Sequence, residues 1–161
     1  VAVYSVRGLA AATTAAANQS VITLWNPSST ALLEILELGV TPNTQTGGGP
    51  SSRLMIRHVS TRGTAGSTVT PDADNAWDAA TAPASGALVD LSNYSVQPTF
   101  LPQMLVASFS GVAGSGGWQY VFVPPYPDYP LVVPPGKGIT AMTASAVGWP
   151  ESEVYVAWEE D

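Results

Sequence analysis

A chain of 161 residues is long enough to bury one full core, and 45% hydrophobic residues supply the material for it. Five basic residues against twelve acids leave a net charge of −7 and no basic patch, which argues against nucleic acid and anionic membrane surfaces as partners. Cysteine is absent, which excludes disulfides, thiolate nucleophiles and cysteine metal sites.

Residues 1–6 alternate loosely, with Val1, Val3 and Ser5 on one face; they read as a first strand or as an arm reaching a neighbour. With the small-residue run AAATTAAAN that follows, residues 1–19 form an N-terminal arm or extended segment, and 20–161 a single domain. The run has no large apolar stripe to bury as a helix, so it reads as loop. The first twenty residues also lack a basic start followed by an apolar stretch, so they do not read as a secretory signal. SVITLW (20–25) is a strand closed by the turn Asn26-Pro27-Ser28-Ser29. ALLEILELGV (31–40) fits a helix or a strand; the turn before it and the Gly-Val-Thr-Pro exit favour the strand, which puts Glu34 and Glu37 on opposite faces. After the Gly47-Gly48-Gly49-Pro50 loop, RLMIRHVST (53–61) is a strand.

Residues 63–87 are the longest stretch without periodicity, and a loop of that length inside a compact domain calls for a role. Further strands are expected in QMLVASFS (103–110), WQYVFV (118–123), LVV (131–133), ITAMTAS (139–145) and EVYVAW (153–158), divided by Pro and Gly punctuation. Glu159, Glu160 and Asp161 read as a solvated tail. The fold class is therefore all-β: an antiparallel β-sandwich, jelly-roll-like, of about eight strands with long loops.

Little in this chain carries reactive chemistry. His58 is the only histidine; it lies mid-strand, no G-x-S-x-G elbow accompanies it, and it reads as a structural, half-buried side chain. A glycosidase needs two carboxylates across one cleft, which Glu34 and Glu37 on opposite faces do not supply. Glu151 and Glu153 share a face at a strand end. Asp72, Asp74 and Asp78 make an oxygen-rich loop, a weak candidate for a hard cation that lacks the EF-hand spacing. GVAGSGG (111–117) lacks the Gly-Lys-Ser/Thr ending of a phosphate loop. No cofactor is expected. Among the aromatic residues, Tyr126 and Tyr129 in a Pro-rich loop are candidates for exposure, and a sugar platform would need Tyr126, Tyr129 or Trp149 exposed. Val3, Tyr4, Arg7, Trp77, Tyr126 and Tyr129 are the candidate partner contacts.

The segments LWNPSSTALLEILELGV, RLMIRHVSTRGTAGSTVTPDADNA, PLVVPPGKGITAMTASA and EVYVAWEED resemble, in order and spacing, small structural proteins of tailed bacteriophages. These are jelly-roll capsid decoration (cement) proteins or virion appendages. The resemblance spans about two thirds of the chain and implies a non-enzymatic virion component. It would be a homotrimer seated on the major capsid protein lattice at the capsid exterior, where it stabilises the shell. The alternative function is a receptor- or carbohydrate-binding module of a phage tail or fibre.

Overall fold

The computed structural model describes residues 2–43, 52–71, 81–111, 120–123, 130–144 and 148–160. Among these there is no helix; eleven strands form two antiparallel sheets packed face to face. They are β1 (Ala2–Ala10), β2 (Ser20–Asn26), β3 (Leu33–Pro42), β4 (Ser52–Val59), β5 (Ser67–Val69), β6 (Leu88–Leu91), β7 (Phe100–Gly111), β8 (Tyr120–Phe122), β9 (Leu131–Val133), β10 (Lys137–Thr143) and β11 (Ser152–Glu160). The first sheet runs β1-β11-β3-β8, with β9 also on β3, and the second runs β5-β6-β2-β10-β4-β7.

The ladders nest. The first strand pairs the last (β1 with β11), the second pairs the second-last (β2 with β10), β3 pairs β8 and β9, and β4 pairs β7. A long antiparallel hairpin rolled on itself closes by two further ladders, β11 on β3 and β10 on β4. This is the jelly-roll form of the β-sandwich. Eight positions make the roll, β8 and β9 sharing one of them. The other two strands, β5 and β6, extend the second sheet beyond β2.

Between the sheets lies one apolar core. Tyr4, Val6, Leu33, Ile35, Leu38, Val154, Val156 and Trp158 enter it from the first sheet, and Ile22, Leu24, Leu54, Ile56, Val89, Ile139 and Ala141 from the second. Each fully buried Leu or Ile contributes about 1.5–3 kcal/mol relative to exposure. The alternate positions of the second sheet are not left to solvent. Thr23 and Thr140, on the face away from the core, are fully buried, as is Met142. Tyr94 covers them, donating to Thr23 Oγ1 at 2.7 Å, and Thr23 donates to Thr140 Oγ1 at 2.9 Å. That cover accounts for the burial of Thr23 and Thr140 on the face away from the core.

Several sequence expectations change here. Of the two readings of the N-terminus, residues 2–10 take the strand, paired along their whole length with β11. The long segment after residue 63 holds β5, and Thr64 bridges to Val96. Three residues carry no legible period; Ser67–Val69 becomes a strand because β6 lies beside it. Residues 11–18 are loop, pinned by Thr13 N–H donating to the Trp149 carbonyl at 2.9 Å and Asn18 N–H to the Thr143 carbonyl at 2.9 Å. Nor is the acidic C-terminus a solvated tail through residue 160. Glu159 and Glu160 belong to β11, and Glu160 is buried, accepting from Ala84 N–H at 2.8 Å and from the Ser85 hydroxyl.

Candidate functional site

The outer face of the first sheet carries an open trough of about 740 Å³, running across β1, β11 and β3. Its centre is one row of the sheet. Arg7 lies opposite Tyr155, Tyr155 opposite Gly39, and Gly39 opposite Val121. The Arg7 guanidinium sits 5.2 Å from the centre of the Tyr155 ring, a cation–π contact. The Tyr155 hydroxyl donates to Glu37 Oε1. The ring leans over Gly39, where any Cβ would overlap its carbon atoms. Burial first, and then the Glu37 carboxylate, push the Tyr155 phenol up to about 12, while Arg7 opposes the rise. The phenol is therefore a fixed, protonated donor at neutral pH.

Glu37 reaches this face through a local irregularity. The β3–β11 register shifts between Ala157 and Trp158: Ile35 faces Trp158 and Glu37 faces Ala157, which leaves Leu36 as an extra residue. A bulge of this kind reverses the alternation beyond it. Glu34, opposite Glu159, and Glu37, opposite Ala157, consequently share the outer face, contrary to the opposite faces that regular alternation predicts. Glu153, Thr41, Asn43 and Leu9 complete the trough. Glu153 is exposed, and Leu9 is 53% exposed at the edge strand. Among the described residues the only ion pair is Arg62 with Asp90, so Arg7 is not neutralised by a neighbouring carboxylate within 4.0 Å. The trough offers hydrogen-bonding chemistry: two carboxylates, a guanidinium, an amide, the Ser5 and Thr41 hydroxyls and the half-buried Tyr155 phenol.

The candidate contacts fare differently. Arg7 is exposed on this face, and Val3 is half-buried on the same face of β1. Tyr4 is not available to a partner. It is 2% exposed, stacked on Trp158 with ring centres 5.7 Å apart, and donates to the Thr81 carbonyl at 3.1 Å. Even positions of β1 face the core, which decides the matter. Trp149 is likewise buried rather than a platform, its indole N–H donating to Ser152 Oγ at 2.9 Å. Trp77, Tyr126, Tyr129, Asp72, Asp74 and Asp78 lie outside the described residues. Among the described residues no group of three His, Asp or Glu side chains could hold a metal ion. His58 is half-buried, with Nδ1 3.4 Å from the Gly138 carbonyl, and burial lowers its pKa below 6.5.

Sequence reasoning did not single out Tyr155 as a site residue, and it read Gly39 as a stop or exit. One signal was present: a glycine inside an otherwise apolar strand often marks the close approach of another group. No protein-family model, curated protein or solved structure matches this chain.

Proposed function

We propose that this protein is a non-enzymatic structural component of a virus particle, a capsid decoration protein of a tailed-phage shell. The observation that carries the reading is the nested β1–β11, β2–β10, β3–β8/β9, β4–β7 ladder set. That roll is an architecture used by viral capsid domains, and the segments that resemble phage decoration proteins contribute to β2, β3, β4, β5, β9, β10 and β11. A fold hosts many functions, so the test has to be functional. Low charge and the absence of cysteine suit a protein held by packing and by repeated contacts across a lattice.

In this reading the partners are the major capsid protein and two further copies of the chain in a homotrimer, on the exterior of the capsid. Residues 1–19 and the 63–87 segment are the contact elements in this reading, because they hold β1 and β5, which are edge strands of the first and second sheets. The test is to mix the purified protein with shells that lack it. Saturable co-sedimentation with a raised shell disruption temperature is the expected result. A well-folded protein that neither binds shells nor protects them overturns the proposal.

A further inference from the structure

Two features of the first sheet shape its outer face. The Leu36 bulge turns Glu37 outward, and the glycine at 39 leaves room for the Tyr155 ring. A glycine inside a strand weakens it by roughly 0.5–1 kcal/mol relative to Ala, and a bulge interrupts the ladder. Both irregularities fall within four residues of one strand, and both shape the same trough. The bulge also serves the core, since it lets Ile35 face it together with Leu38 and Val40, which regular alternation would place on the other side; the glycine at 39 serves the outer face alone.

We propose that this trough is a binding site for a neutral oligosaccharide. The charges decide against the other small-ligand classes. A phosphate or sulfate would meet Glu37 and Glu153, and a simple cation would meet Arg7. A ligand dense in hydroxyls suits both signs at once, since each hydroxyl donates to a carboxylate and accepts from a guanidinium. Glu37 and Glu153 accept from sugar hydroxyls, Arg7 and the Asn43 amide serve hydroxyl and ring oxygens, and the exposed Leu9 side chain takes apolar carbons of a sugar. Tyr155 is already held by Glu37 and Arg7, so little side-chain order is lost on binding. The volume lies within the range of small-molecule sites, about 300–1,000 Å³, and the open form admits a chain rather than a single enclosed ring.

The site belongs to the isolated chain, so the experiment needs no shells and its outcome is separate from the shell-binding test. The protein is screened on a printed array of uncharged di- to tetrasaccharides, with sulfated and sialylated glycans and a polyamine as competitors. The best uncharged glycan is then titrated by nuclear magnetic resonance. Expected are saturable binding, shifted signals at Arg7, Asn43 and Tyr155, and affinity lowered about tenfold or more in both Arg7→Ala and Glu153→Gln. Both substituted side chains are exposed, so folding is retained, and Lys137→Ala on the opposite sheet serves as the control that leaves affinity unchanged. Silence on the uncharged array, a preference for the anionic glycans or the polyamine, or unchanged affinity in both trough variants overturns the proposal.

Discussion

Tyr155 lies directly opposite Gly39 across the β11–β3 ladder, and its ring occupies the space that a side chain at 39 would fill. The two residues form one unit, since the glycine seats the ring and Glu37 and Arg7 keep it there. Gly39→Ala should therefore force the ring out of its seat. The expected cost is about 1–3 kcal/mol, as for overpacking at a tight site. Chemical denaturation measures that cost, and the near-ultraviolet circular dichroism of the tyrosine should change with it. A variant as stable as the parent with an unaltered tyrosine signal would show that the seat is not tight.

The pH dependence on the alkaline side follows from two phenols. Tyr155 is pushed up to about 12 by burial and then by Glu37, from 10.0 in an unfolded chain. Tyr94 moves further in the same direction, mainly through burial. A raised phenol pKa means that the folded state keeps a proton the unfolded state has lost. These contributions are thus complete below pH 10 and decline as pH rises toward 12 and beyond. Ultraviolet titration should find Tyr155 ionising late, and earlier in Glu37→Gln, where the carboxylate is gone. Ionisation of Tyr155 at its ordinary value in the parent protein would contradict the geometry.

Glu160 ties the end of β11 to the 84–85 turn. Its buried carboxylate accepts from the Ala84 N–H, the Ser85 N–H and the Ser85 hydroxyl. Glu160→Ala leaves these donors without an acceptor, at an expected cost of about 1–3 kcal/mol. Hydrogen exchange at Ala84 and Ser85 should accelerate before that of the core strands. Unchanged exchange at both amides would mean that the clasp does not hold the turn.

Arg62 and Asp90 form an asymmetric pair. Asp90 is fully buried, whereas the Arg62 side chain is 34% exposed, and Arg62 holds both carboxylate oxygens at 2.7 Å. Thr68 donates to the same carboxylate and so links β5 to β6. Removing the arginine strands a buried charge, whereas removing the charge leaves an arginine that can turn to water. Arg62→Ala should cost toward the low end of the about 3–5 kcal/mol seen when a buried pair loses one partner. Asp90→Asn should cost less. Denaturant midpoints compare the two, and the reverse order would contradict the burial asymmetry.

Much of the fold is legible in the residues. SVITLW, LVV and EVYVAW carry β-branched and aromatic side chains between Pro, Gly and Asn breaks, and each becomes a strand within a residue or two of its expected limits. His58 is half-buried, as its place in the middle of a strand implies, with Nδ1 beside the Gly138 carbonyl. The candidate site is far less legible. Arg7 could be named from its exposure-prone type, but Tyr4 in the same strand faces the other way, into the stack on Trp158.

By itself the sequence determined the all-β class, the positions of most strands and the absence of any cysteine chemistry, because period, propensity and composition are local properties. The tertiary structure alone decided that Glu34 and Glu37 share a face, that Glu160 is buried and that Ser67–Val69 is a strand. A bulge, a buried carboxylate and a three-residue strand all depend on what a distant segment places opposite them. Leu36 is extra only because Ile35 and Glu37 pair with the adjacent residues Trp158 and Ala157, more than a hundred positions away in the chain.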